Sequence, residues 1–443
     1  MRAAERGGGG VTSAPPHPAS MPTRDDLRRL IRAIEARPPQ PHPAAPAPSP
    51  RLPVERALPG RWARQAGTLY VRHEVLDATH VHGTTSLATL GSVTPRLLTL
   101  LGGAELDGVD VADLLFLDIE TTGLGGAGAI AFLVTTAHSA TDGLHVCQYL
   151  AGSPADEEAL LTRLIGDIRR SHDDPVLVTY NGRAFDAPIL DQRATMHRLR
   201  GTFEAMPHLD LLAPVRRGFR GLLASCRLAV IEERFLGVTR PAHEVAGADV
   251  PTWYFRFLRT QDARHLVPLI THNADDVLSL VALLARFAAV DGGEGGSGLE
   301  QLALGRLHAA SGDAVSAQHR LEAARAILPP SIARDECLFA LAVLHRRARR
   351  DDLAVPLWEE IAERPGAPAA RALVELAKHL EHRRREPAAA LACVERAIDA
   401  TGETPALERR RHRLARKVEA SVPSGDRQGR VRVRPPAHPA TPA

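Results

Sequence analysis

Between Leu114 and about Ala288 the apolar positions switch repeatedly between two periods. LLFLDIE (114–120) is an unbroken apolar run closed by acids, which predicts a buried strand. AIAFLVTTA, LHVCQYLA and PVLVTY predict three more strands, and ADEEALLTRLIGDIRR predicts a helix with acids in its first turn. LVPLITHNADDVLSLVALLARF carries apolar residues at helical spacing and predicts the closing helix. Strands alternating with helices predict an α/β domain with a mixed sheet flanked by helices, extending over 58–290. Its lead-in, to about residue 108, mixes short apolar runs with turn signals such as Pro59-Gly60 and His82-Gly83 and predicts short strands.

A Gly-rich stretch at 291–298 ends this pattern, and a wholly helical one follows. LGRLHAASGDAVSAQHRLEAAR, LAVLHRRARRDDLAVPLWEEIAE and LAKHLEHRRREPAAALACVERAID each read as helix, polar turn, helix. Leu307, Leu344 and Leu380 recur at steps of 37 and 36 residues, which predicts an all-α, tetratricopeptide-like domain over 298–420. Both ends lack apolar period. Residues 1–57 are Pro- and Ala-rich and expected to be disordered, with one short helix near 24–36 and a stiff linker from Pro38 to Pro53, and Met21 is an alternative start. Residues 421–443 form a Pro-rich basic tail expected to be disordered.

Composition agrees with a helix-rich globular protein, at 44% hydrophobic but only 4% aromatic residues. A net charge of +3 is too small to argue for nucleic-acid binding by itself, so any such argument rests on distribution. Cys147, Cys226, Cys337 and Cys393 form no C-x-x-C pair, which disfavours a zinc knuckle or a disulfide framework. With no membrane-spanning run and no signal-peptide core, the expected location is the cytoplasm.

The chemistry lies with the acids. Asp118 and Glu120 alternate on one strand, so both carboxylates point to one side. Alone, this pair is better explained by a strand end meeting solvent. Asp186 joins it from TYNGRAFDAPIL, where Phe185 and Ile189 would fix the segment and turn the acid inward. Asp276 stands one helical turn after His272, on the same face. Four acids and a histidine on separate elements can surround two divalent ions.

FLDIETTGL (116–124), YNGRAFD (180–186) and HNADDV (272–277) together resemble the three motifs of the DnaQ-like 3′→5′ exonucleases of the RNase H-like superfamily. GLGGAGAIAFLV, QYLAGSPADEEALL and HLDLLAPVRRGFRGLLASCRL narrow the resemblance to a bacterial RNase H-like subfamily often fused to tetratricopeptide repeats. The resemblance implies phosphodiester hydrolysis on single-stranded DNA or RNA, with two Mg²⁺ or Mn²⁺ ions held by Asp118, Glu120, Asp186 and Asp276. Thr121, Thr122 and Gly123 would then lie against the terminal nucleotide, with Gly125, Gly126 and Gly128 continuing the turn, and Asn181 would orient the second motif or the substrate. The third motif departs from the family, which carries a tyrosine four residues before the Asp or a histidine five before it; here His272 has the tyrosine spacing. It is a candidate general base or a packing residue. Asp210 is expected to cap a helix, and Arg216, Arg217, Arg220 and Arg227 either line a phosphate track or face solvent. The competing function is a catalytically weak or inactive nucleic-acid-binding scaffold working through its helical repeats, which would also offer a surface for a protein partner.

Overall fold

The strand expected at 114–120 forms as β5 (Leu114–Thr121), and its period of two sorts its side chains onto two apolar layers. Leu114 and Phe116 face one layer, while Leu115, Leu117 and Ile119 face the other. In this computed structural model the described residues are 50–65, 67–123, 128–199, 203–240 and 249–421. The helix expected near 24–36, most of the proline linker, the basic tail, and Gly125 and Gly126 lie outside them.

β5 is an inner strand of a seven-stranded mixed sheet with the order β1-β2-β7-β6-β5-β8-β9. β1 (Trp62–Arg64), β2 (Leu69–Leu76), β6 (Ala131–Ala140) and β7 (Gly143–Ala151) make its antiparallel side. β8 (Val176–Thr179) and β9 (His208–Asp210) extend β5 in parallel. The lead-in is therefore part of the main sheet: β2 pairs with β7 along its whole length, from Leu69 opposite Ala151 to Leu76 opposite Leu144. β3 (Val81–His82) and β4 (Thr85–Ser86) form a separate small ribbon.

Helices cover both faces. α1 (Pro95–Gly102) packs with α4 (Leu212–Gly218) on the layer that holds Phe116. α2 (Glu157–Ser171) and α5 (Val250–Thr260) cover the other layer, where Tyr254 stacks on Phe132 with ring centroids 4.0 Å apart. α3 (Asp186–Met196) follows β8. α6 (Val267–Gly292) is the closing helix, and its long apolar stripe, including Val277, Val281 and Leu284, lies with Phe116. It ends at Gly293, whose left-handed φ of 97° turns the chain out of the helix.

The C-terminal part is α7 (Gly298–Ser311), α8 (Ala314–Ile327), α9 (Ile332–Arg347), α10 (Asp351–Ala362), α11 (Ala367–His379), α12 (Pro387–Thr401) and α13 (Pro405–Ser421). Ser297 and Glu300 start it with a capping box. Trp358, Leu338, Leu373 and Val394 share one core across successive helix pairs. The turn within each pair carries a left-handed residue, Gly312, Arg349 or Arg385, at the same 37- and 36-residue steps as the leucines. α7 sits directly on α4, so that a Cβ built on Gly218 would come within 2.9 Å of the Ala303 Cβ. Among the described residues, no helix is long and apolar enough to cross a membrane.

Candidate active site

Asp118 and Glu120 lie on the same side of β5 as Leu114 and Phe116, beneath α6. The face that is apolar for the first half of the strand becomes acidic in the second. The pairing register with β6 slips between Glu120 and Thr121, and such a bulge bends a strand and re-aims its side chains.

Asp118 is oriented by a chain of buried polar groups running through three elements. The Asn273 amide of α6 donates to Asp118 Oδ2 at 2.6 Å, and its carbonyl oxygen accepts from the Thr135 hydroxyl of β6. Gln148 of β7 donates to Thr135 Oγ1 and to the Ile270 carbonyl, both at 3.0 Å. Asn273, Thr135 and Gln148 are fully buried, so each needs its partners, and together they fix α6 to the sheet beside the acid.

The second motif is a strand-to-helix turn. Asn181 adopts φ 72°, a left-handed conformation that asparagine tolerates, and its N–H donates to Asp210 Oδ1 at 2.7 Å. Gly182 follows where any Cβ would lie 2.3 Å from Thr179 Oγ1. Asp210 also accepts from the Arg183 and Leu212 N–H groups at 3.3 and 3.1 Å. It is thus the last residue of β9 and ties the second-motif turn to the start of α4, rather than serving as a simple helix cap. Asp186 opens α3, and its Oδ1 accepts from the Ile119 N–H at 3.2 Å, which brings it against β5 between Asp118 and Glu120 in sequence.

Asp276 comes from α6. Arg240 Nη2 donates to it at 2.7 Å, and Arg240 Nε pairs with Glu232, a carboxylate 1% exposed. Glu232 in turn accepts from Ser279 Oγ at 2.6 Å, and His82 Nε2 donates to that hydroxyl across 2.8 Å. Arg240 Nη1 also lies 3.2 Å from His272 Nδ1. Because a guanidinium only donates, Nδ1 accepts, and the neutral ring carries its proton on Nε2. That atom faces Glu120 Oε1 at 3.8 Å, and Nδ1 is 3.8 Å from Asp276 Oδ1. The His272 ring, which opens the third motif, therefore stands between Glu120 of the first and Asp276 of its own.

Gathering these acids out of water has an electrostatic cost. Burial, then repulsion from Asp276, Asp186 and Glu120, pushes Asp118 well above the usual carboxylate range, against the opposing bond from Asn273. Glu120 rises to about 8 through burial and then through Asp276 and Asp186. Burial also lifts Asp186 to about 7 despite its backbone bonds. Asp276 is raised by burial, with His272 and Arg240 working against it. Among the described residues, no three His, Cys, Asp or Glu side chains are set around one point as a finished metal cage, and the local positive charge comes from Arg240. The donor set nonetheless suits hard divalent cations: four carboxylates, all oxygen, whose mutual repulsion a cation relieves.

Asp118, Glu120, Asp186, His272 and Asp276 are thus brought to one end of β5. The Thr122 N–H donates to the Ile130 carbonyl at 3.0 Å and its hydroxyl accepts from the Ile130 N–H at 3.0 Å, while Thr121 Oγ1 donates to the Gly123 carbonyl at 2.6 Å. These bonds shape the turn after β5. Asn181 is exposed at the second-motif turn. Arg216, Arg217, Arg220 and Arg227 are exposed, and Arg217 donates to the Leu101 carbonyl at the end of α1. Sequence reasoning missed Asn273, Thr135 and Gln148, although polar residues at inward strand positions were a usable signal. Arg240 lies in an irregular segment and Glu232 in a short helical stretch, Glu232–Leu236, and no motif marks either.

Residues 115–288 match the RNase H superfamily. Over 369 residues the chain is 31% identical to a Bacillus subtilis (strain 168) protein named "Uncharacterized protein YprB", covering 79% of this chain and 86% of that one. The family B DNA polymerase of the hyperthermophilic archaeon Pyrobaculum calidifontis shares a partial structural likeness, with a TM-score of 0.31 and 17% identity over 47% of this chain and 29% of the polymerase.

Proposed function

The chain belongs to the YprB family and carries an RNase H-superfamily domain, and from that premise we propose that it is a metal-dependent nuclease trimming single-stranded nucleic acid from its 3′ end. What supports this reading is the assembly of Asp118, Glu120, Asp186 and Asp276 from three separate stretches of sequence at the end of one strand, where burial raises all of them.

In this reading these acids would hold two Mg²⁺ or Mn²⁺ ions. When bound, such ions lower the pKa of water and stabilise a departing 3′ oxygen. The chain itself supplies the rest. Asn273 fixes the Asp118 rotamer, and the Ile119 N–H fixes Asp186. The turn at Thr121, Thr122 and Gly123 offers backbone against which a terminal nucleotide can lie, and the exposed Asn181 can meet the strand. His272 accepts a proton at Nδ1 once Arg240 releases that atom. The helix pairs from α7 to α12 act as a tetratricopeptide-like platform for substrate or a protein partner, and the working division of the chain is 58–290 and 298–420.

Calorimetric titration with Mn²⁺ separates this reading from a metal-free scaffold. Saturable binding in the wild type, lost in Asp186→Ala, is expected; absence of binding in the wild type contradicts it.

A further inference from the structure

The whole-chain charge of +3 conceals a division. Residues 346–352, 381–386 and 409–417 hold thirteen Lys and Arg against four Asp and Glu, which leaves the rest of the chain net acidic. The first two segments are the turns leading from α9 to α10 and from α11 to α12, and the third is the body of α13.

These segments meet in the fold. Asp351 of the first turn lies 3.9 Å from Arg383 Nε of the next and 3.7 Å from His379 Nδ1. Arg413 Nη2 and Lys417 Nζ of α13 each donate to Glu381 at 2.7 Å, and Arg410 Nη1 does so at 3.1 Å. Burial alone would raise the Glu381 carboxyl, but the bonds from Arg413 and Lys417 bring it down to about 2. One carboxylate thus gathers three cations, leaving excess positive charge.

Arg410, Arg413 and Arg346 are held by ion pairs, but stability does not explain Arg347, Arg349 and Arg385. Arg349 and Arg385 hold φ 60° and 59°, in the left-handed conformation that Gly312 takes at the same place in the first pair. A side chain there costs backbone energy that glycine avoids. Arg347, Arg349 and Arg385 are exposed, and among the described residues none of them forms an ion pair. The three segments also lack an exposed large apolar side chain, since Leu414 is fully buried, so nothing there would insert into a lipid surface.

We propose that this basic face, advancing one helix pair at a time, is the docking track for the phosphate backbone of a single-stranded nucleic acid whose end is trimmed at the acidic site. The inference rests on the nuclease reading above. Arginine forks suit phosphate oxygens, and the net-acidic remainder of the chain repels a polyanion elsewhere. With no aromatic residue in the three segments, binding there is electrostatic, sequence-tolerant and steeply salt-dependent.

The test is a fourfold variant, Arg347→Gln, Arg349→Gly, Arg384→Gln and Arg385→Gly. Glycine suits the left-handed positions, so the thermal midpoint should hold or rise. Anisotropy with a labelled oligothymidylate of about 30 nucleotides, in EDTA, should show at least roughly tenfold weaker binding at about 50 mM salt. The slope of log affinity against log salt should flatten by about 2 to 3. With Mn²⁺, hydrolysis of the p-nitrophenyl ester of thymidine 5′-phosphate, too short to reach the track, should stay at the wild-type rate. Unchanged affinity and slope in the folded variant overturn the proposal, as does a wild type that binds phosphatidylserine vesicles but not the oligonucleotide. If the wild type binds the strand through these arginines and hydrolyses neither substrate, the docking track stands and the nuclease reading falls.

Discussion

Four carboxylates raised by burial and by one another leave a signature in the metal-free protein. Below about pH 6.5 the burial of His138 and His208, which holds them near 4, acts in the opposite sense, but from about pH 4 to pH 8 Glu120 and Asp186 bind more protons in the folded chain than in the unfolded one, because they titrate near 8 and 7 only when folded. Their contribution to stability is therefore complete at the acid end of this window and is lost as pH rises through it. The thermal midpoint of the chelated protein should fall between about pH 6.5 and pH 8, where the histidines no longer contribute, and Mn²⁺ should flatten the fall; a midpoint that rises across that window contradicts the arrangement. Asp118→Ala should remove hydrolysis, and so should Asp118→Asn, whose side-chain oxygen can still accept from Asn273 and whose metal-free midpoint should stay level or increase because repulsion is relieved. At His272, replacement by Ala should cost roughly 10²–10⁴-fold in rate with Mn²⁺ affinity retained if the ring takes a proton. His272→Tyr, which restores the spacing of related enzymes, should recover part of that loss. A fully active alanine variant would make His272 a packing residue. The acids were legible from sequence because Asp118 and Glu120, which alone would read as a strand end meeting solvent, are joined by Asp186 and Asp276 in two further motifs on separate elements. Arg240 was not, since its partners Glu232, His272 and Asp276 are neighbours only in the fold.

Among the elements, α6 carries the most. It was legible as a helix from its apolar spacing, but not as the element that orients Asp118, because that role depends on Asn273 meeting Thr135 and Asp118 on two different strands. Asn273→Ala leaves the buried Thr135 hydroxyl without its acceptor and should lower stability by about 1–3 kcal/mol, read from urea midpoints, with a fall in hydrolysis beyond any loss of folded protein. An alanine variant with wild-type stability and rate would show that the buried chain from Gln148 does not position the acid. The strands from β5 to β8 were also legible, since each is a short apolar run. β2 was under-read as a lead-in, because its alternation of buried and exposed residues says nothing about which strand it pairs with. The bulge after Glu120 depends on pairing with β6 and left no sequence mark.

At the scale of the whole molecule, the helical part was legible through its repeat of 37 and 36 residues, which the left-handed turn positions reproduce. Its seating on the α/β part was not, because that depends on contacts between residues far apart in sequence, among them Leu304 and Leu307 in the α/β core and the Arg286–Glu300 pair. Gly218 of α4 leaves no room against Ala303, and Arg306 Nη1 donates to the Gly218 and Arg220 carbonyls at 3.2 and 2.9 Å. Gly218→Val should therefore destabilise the chain by about 1–3 kcal/mol through overpacking, measurable by calorimetry, and a neutral result would mean that the two parts separate at little cost.

The most direct measurement of the central claim is incubation of the purified protein with 5′-labelled single-stranded DNA and RNA, with Mn²⁺ or with EDTA, beside Asp118→Ala and Asp186→Ala. The expected result is a ladder of products shortened from the 3′ end, present only with the metal and absent in both variants; a wild type that leaves both strands intact in Mn²⁺, or variants that cut at the wild-type rate, would contradict it.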